Sequence, residues 1–136
     1  MAGFGLTFHH LGLAVPRPDE AVRFLCGLGY AIGQPIFDPE QNVNLALCRH
    51  PQMPAVEIIS PGNGPGPIDK LVARRKGGIV YHACYETKDL AASLAAIAAA
   101  KLNPLCAAAP RPAVLFDGRA VSFYVVVGIG LIEILE

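Results

Sequence analysis

Short runs of alternating apolar and polar positions, broken by turn residues, predict that most of this chain is strand; three stretches carry helical spacing instead. In Phe8–Val15 (FHHLGLAV) the alternation sets His10, Gly12 and Ala14 on one face and Leu11, Leu13 and Val15 on the other. Pro16-Arg17-Pro18-Asp19 then opens a helix, because proline suits the first helical turn and aspartate its start. Ala21, Val22, Leu25 and Leu28 supply its apolar stripe, and Gly27 and Gly29 stop it. Tyr30–Ile36 predicts a second strand, Asp38-Pro39-Glu40-Gln41-Asn42 a turn and Val43–Cys48 a third strand. His50–Pro54 turns again before a fourth strand at Ala55–Ser60. Residues 1–61 thus read β-α-β-β-β.

Pro61–Pro67 (PGNGPGP) cannot hold a regular element, so residues 62–78 are expected to link two modules, with a short helix over Ile68–Lys76 ended by Gly77-Gly78. The second module, 79–136, opens on a strand at Val80–Glu86. Asp89 caps a helix from Leu90 to Lys101, rich in alanine, with Leu94 and Ile97 as a narrow apolar stripe. Leu105–Ala107 is expected to pair weakly and Ala108–Pro112 to be loop. Ala113–Phe116 and Arg119–Val127 are expected to form a hairpin around Asp117-Gly118. Gly128-Ile129-Gly130 turns into a last strand, Leu131–Leu135. The order is again β-α-β-β-β. The fold class expected is therefore α+β, two repeated modules in one compact domain, forming a curled mixed sheet around one cleft.

The repeat extends to chemistry. Val80–Thr87 (VYHACYET) echoes FHHLGLAV, and His82 lies 72 residues after His10. Each module closes on a strand whose acid is flanked by aliphatics, Val56-Glu57-Ile58-Ile59 and Ile132-Glu133-Ile134-Leu135. A lone histidine in an apolar strand is ordinarily a core or edge residue, and a lone glutamate between aliphatics is ordinarily the solvated half of an alternating strand. Recurrence at matched module positions argues against both. His10, Glu57, His82 and Glu133 are therefore expected to converge on one divalent first-row ion, and such mixed nitrogen and oxygen sets accept Zn²⁺, Co²⁺, Ni²⁺, Mn²⁺ or Fe²⁺. His9 and His50 have no counterpart in the other module and are expected at the surface, and Glu136 is expected to be free. Cys84 shares a strand face with His82 and is expected to be a packed thiol.

Composition narrows the classes. Apolar residues make up 53% and charged residues 16%, which excludes disorder. Eleven basic and eleven acidic side chains cancel, and the longest basic run is Arg74-Arg75-Lys76, so no nucleic acid or membrane partner is expected. No apolar run reaches the ~20 residues of a membrane span. Four scattered cysteines without a Cys-x-x-Cys pair predict reduced thiols in a soluble, cytoplasmic protein.

With these residues in view, FHHLGLAV, VEIISP, VYHACYE and LIEILE resemble the four metal-ligand strands of the vicinal oxygen chelate superfamily. Its members include glyoxalases, methylmalonyl-CoA epimerases, extradiol dioxygenases and drug-resistance proteins. Asp38-Pro39-Glu40-Gln41-Asn42-Val43 and Gly77–Ala83 resemble segments of the epimerase branch, Asn-Pro-Glu-Gln-Gly-Val and Gly-Leu-His-His-Met-Ala. The resemblance implies His10, Glu57, His82 and Glu133 as metal ligands, with Glu133 doubling as general base. Leu45 stands where the epimerases carry a second catalytic carboxylate, Glu57 where they commonly carry Gln, and Tyr81 replaces the first His of a pair. With Leu45 apolar, Glu57 and Glu133 are the natural acid and base across the metal.

The activity expected is a metal-dependent epimerase or isomerase that moves a proton beside a carbonyl or thioester, methylmalonyl-CoA epimerase-like. The cofactor expected is Zn, Co, Ni or Mn. Partners expected are a small-molecule substrate, an acyl-CoA or a glutathione adduct, and a second copy of the chain in a homodimer. Arg74, Arg75, Lys76 and Arg119 are the cations considered for phosphate or anion contact, each with a plainer reading as solvated surface or turn. The alternatives are a glyoxalase-like lactoylglutathione lyase and a drug-sequestering protein that has kept the fold without catalysis. An Fe²⁺ dioxygenase fits less well, since it normally offers two His and one carboxylate.

Overall fold

The computed structural model describes residues 2–73 and 77–136, and these divide into two compact units, one within His10–Tyr81 and the other made of residues 2–9 with His82–Glu136. Nine strands and three α-helices occur among the described residues in an α+β arrangement of mixed strand direction.

In the first unit, β1 (Thr7–Ala14) leads through Pro16 and Pro18 into α1 (Asp19–Gly27), whose first turn carries Asp19 and Glu20. Acids there complement the partial positive charge of the helix start. The expected strand Tyr30–Ile36 is divided into β2 (Ala31–Ile32) and β3 (Ile36–Asp38), both antiparallel to β4 (Val43–Arg49). The break has a cause. Gly33 N–H donates to the Leu47 carbonyl at 2.9 Å so closely that a Cβ on Gly33 would collide with it, and Pro35 has no N–H to pair. Strand β5 (Val56–Pro61) then lies between β4, antiparallel, and β1, parallel.

Alternation sorts the two faces of this half-sheet. Leu13, Val15, Ala46, Cys48, Val56 and Ile58 pack with Leu25 of α1 and Tyr30. His10, Gly12, Glu57, Leu45 and Leu47 occupy the opposite face. Of the expected helix over Ile68–Lys76 only α2 (Asp69–Val72) is seen; Arg74, Arg75 and Lys76 lie outside the described residues.

The second unit repeats the pattern. Strand β6 (Ile79–Glu86) is followed by α3 (Leu90–Ala99), and the Asp89 carboxylate accepts from Ala92 N–H at 2.9 Å, the expected N-cap. Here the sequence expectation needs correction. Residues assigned to a weak pairing and a loop form one long strand, β7 (Leu105–Pro112), antiparallel to β8 (Ala120–Val126). The expected first hairpin arm, Ala113–Phe116, instead contributes a 3-10 turn over Val114–Phe116. Ala113 N–H donates to the Arg119 carbonyl and its own carbonyl accepts from Gly118 N–H, and Asp117 takes a left-handed φ of 55°, closing the turn. The alanine and proline content of β7 hides a strand that two bulges keep paired. Strand β9 (Gly130–Leu135) pairs antiparallel with β8 and parallel with β6, as β5 does with β4 and β1. Tyr124, Val126, Ile132 and Ile134 form the core beneath Leu90 and Leu94, joined by Leu6 from the N-terminal segment.

Asn42 ties down the segment after β5. Its side-chain N–H groups donate to the Asn63 and Pro65 carbonyls at 2.9 and 3.0 Å, and its Oδ1 accepts from Asn63 N–H at 3.1 Å. Its φ of 52° is one that Asn tolerates and a residue with a plain Cβ does not. Asn42→Ala is expected to lower unfolding stability by about 2 kcal/mol and Asn42→Gly by about half as much, since glycine loses the hydrogen bonds but keeps the backbone conformation. Urea unfolding of the two variants checks both the loss and its order.

Candidate functional site

Strand β1 presents His10 on the face away from α1, and the parallel ladder to β5 sets Glu57 opposite Gly12, two residues along the same face. Both side chains are buried, at 0% and 4% exposure, and His10 Nε2 lies 3.6 Å from Glu57 Oε1. In the second unit β6 supplies His82 and β9 supplies Glu133, opposite Cys84. These are 3% and 4% exposed, with His82 Nε2 at 3.4 Å from Glu133 Oε1. Neither acid is the solvated half of its strand. Burial of an ionisable carboxylate beside an imidazole is costly, and a native structure retains it only with compensation.

The two spacings fit a cation. Nitrogen and oxygen donors at about 2.0–2.2 Å from a common first-row ion, at adjacent coordination positions, stand roughly 3–3.5 Å from one another. The His82–Glu133 pair falls in that range and His10–Glu57 lies just beyond it. A direct 3.6 Å contact would be a poor hydrogen bond. Each pair thus offers one imidazole nitrogen and one carboxylate oxygen in a geometry a divalent ion can close.

The residue directly across the ladder from each acid is a large hydrophobe: Leu47 opposite Glu57 and Phe123 opposite Glu133. The Phe123 ring stands edge-on to His82, with centroids 5.4 Å apart and planes at 84°. Leu47 and Phe123 were not singled out from the sequence, yet each lies ten positions before its acid, the separation a hairpin centred midway between them imposes. Leu45 faces the same side, opposite Ile59.

The other candidates resolve into structural roles. His50 is half-buried rather than at the surface. Its Nδ1 accepts from the Gln52 and Met53 N–H groups at 3.0 and 3.1 Å, which leaves the hydrogen on Nε2, 3.1 Å from the Leu28 carbonyl. His9 is half-buried as well and stacks edge-on against Phe116 at 5.2 Å. Arg119 is held by Glu86 at 3.1 Å and by the Glu136 carbonyl at 2.8 Å, so neither Arg119 nor the Glu136 backbone is free. Cys84 is fully buried, as expected of a packed thiol. Burial pushes the Cys48 thiol up, against a weaker opposing bond from the Gly33 backbone. No helix among the described residues is long and apolar enough to cross a membrane.

Residues 9–123 match the family described as the glyoxalase/bleomycin resistance protein/dioxygenase superfamily. No curated protein sequence matches the chain. Among solved structures, the chain is similar to a methylmalonyl-CoA epimerase from Mycobacterium tuberculosis, with TM-score 0.78 and 20% identity over 100% of this chain and 91% of that one. A hypothetical protein from Bacillus halodurans superposes with TM-score 0.76 and 23% identity over 96% and 94% of the two chains. A variant methylmalonyl-CoA epimerase from Streptomyces coelicolor, solved with 2-nitronate-propionyl-CoA, gives TM-score 0.70 and 23% identity over 96% of each. At these identities the likeness is one of fold.

Exposure divides the four cysteines, Cys26 and Cys106 being open and Cys48 and Cys84 buried. Titration of the folded protein with a thiol-specific disulfide reagent at pH 8 is expected to consume two thiols quickly and the remaining two only after unfolding.

Proposed function

The chain belongs to the glyoxalase/bleomycin resistance protein/dioxygenase superfamily, and on that premise we propose that it is a divalent-metal-dependent isomerase that moves a proton beside a carbonyl or thioester, in the manner of a methylmalonyl-CoA epimerase. His10, Glu57, His82 and Glu133 hold one ion in this reading. The observation that carries it is the matched burial of a His–Glu pair in each unit, at 3.6 and 3.4 Å. Two imidazoles and two carboxylates are the donor set that Zn, Co, Ni or Mn accepts. A methylmalonyl-CoA epimerase in complex with methylmalonyl-CoA is among the similar structures, which favours a thioester substrate.

A bound divalent ion supplies a Lewis acid for the substrate carbonyl oxygen. The residues do the rest. His10 and His82, fixed in strands, hold position without carrying charge in the neutral form. Glu133 takes the proton from the carbon beside the carbonyl and returns it to that carbon or its neighbour, and Glu57 serves the opposite face. Leu47 and Phe123 exclude water beside the two carboxylates, which strengthens the electrostatic interactions at the reacting atoms.

Metal analysis after reconstitution, combined with proton–deuterium exchange at the substrate α-carbon, tests the reading. The wild type is expected to bind a single divalent ion and to exchange the α-proton of an acyl-CoA or hemithioacetal substrate. Glu133→Gln is expected to slow exchange about 10²–10⁴-fold. A wild-type protein that takes up no divalent ion would sink the catalytic reading, and one that binds ligand without exchange would belong with the sequestering members.

A further inference from the structure

The face of the second half-sheet that carries Glu133 extends beyond the two acid-bearing strands. One row across β6, β9, β8 and β7 reads Cys84, Glu133, Phe123, Ala108, and the next reads Glu86, Leu135, Val121, Arg111. Arg111 reaches this face through a bulge. Four residues of β7, Ala108 to Arg111, span the three of β8 from Phe123 to Val121. Regular pairing would turn Arg111 to the α3 side, because a shift of one residue reverses every side chain.

Arg111 is half-buried, and among the described residues its side chain makes no hydrogen bond or ion pair. Arg119, by contrast, is satisfied by Glu86 and Glu136. A guanidinium with no acceptor within the protein is open to an anion, and its planar fork matches a carboxylate with two parallel bonds. The place equivalent to Arg111 in the first unit is Ile36, opposite Leu45, so no second cation competes from the matching position.

We propose that Arg111 receives a carboxylate of the substrate. This rests on the metal-site reading given above and names its substrate class: a carbonyl end near Glu133, an apolar middle against Phe123 and Val121, and an anionic end at Arg111. Neighbouring strands stand about 4.8 Å apart, so β7 lies roughly 10 Å from β9, and the carboxylate is correspondingly remote from the reacting carbon.

The test follows the Arg111 Nε–Hε resonance by NMR while hexanoate or hexanamide is titrated, with and without added Zn²⁺. Hexanoate is expected to shift that resonance and hexanamide to leave it in place. Arg111→Gln is expected to weaken hexanoate binding roughly tenfold or more, Arg111→Lys to retain part of it, and Phe123→Ala to weaken it while keeping the preference for the acid over the amide. Equal affinity for acid and amide in the wild type overturns the proposal. So does an Arg111→Gln protein, folded with an unchanged thermal midpoint, that binds hexanoate as tightly as the wild type. The ion-free titration keeps the two readings apart: a protein that takes up no metal sinks the isomerase, whereas the response of Arg111 decides the anion site by itself.

Discussion

Withdrawing a carboxylate and an imidazole from water together is the constraint on which each half of this protein turns. Glu57 and Glu133 are each flanked on both sides by Val or Ile, and those neighbours, Val56, Ile58, Ile132 and Ile134, pack beneath a helix. An ionised carboxylate loses several kcal/mol of effective hydration on such burial, about as much as a small domain has to spare. An aliphatic residue in either place would extend the apolar interior at no such cost. The pairs at 3.6 and 3.4 Å therefore cost stability rather than supply it.

Strand alternation lets the chain meet that demand without giving up its core. Each half-sheet has one helix, and the residues facing it, such as Val56 and Ile58 under α1 or Ile132 and Ile134 under α3, account for most of the hydrophobic packing. The odd-numbered acid between them is driven to the other face by the two-residue period alone. A slip of one residue in either ladder would exchange acid and core, so the apolar face enforces the register that the acids require. The N-terminal segment adds to the second unit in the same way, Leu6 reaching its core and Phe8 standing edge-on to Tyr85 at 6.0 Å.

The elements whose pattern was strong were legible in the sequence: β1, β6, the Asp89 cap, and the repeated His and Glu strands. Recurrence at matched positions singled out His10, Glu57, His82 and Glu133, and the structure buries all four and sets each His beside a Glu. The failures have physical causes. Tyr30–Ile36 contains enough apolar residues for one strand, but Gly33 and Pro35 each remove something a continuous ladder needs. Leu105–Pro112 looks like loop because alanine and proline are weak strand formers, yet neighbouring β8 imposes pairing on it. Misplacing that hairpin concealed Arg111. Its side-chain direction depends on a bulge, and a bulge is a property of two strands together.

The two halves repeat their backbone order and their His–Glu pairs, but the surroundings of the pairs differ. Opposite Glu57 stands Leu47, then Leu45, then Ile36 on the outer strand, an unbroken apolar surface. Opposite Glu133 stands Phe123, then Val121, then Arg111 at the corresponding outer position. A duplicated scaffold with identical surroundings would leave its two carboxylates chemically equivalent. One aromatic and one cation, both in the second half, remove that equivalence. The two glutamates, alike in burial and in their imidazole neighbours, therefore stand in different surroundings, aliphatic throughout across the strands from Glu57 and aromatic, then cationic at the outer strand, across from Glu133.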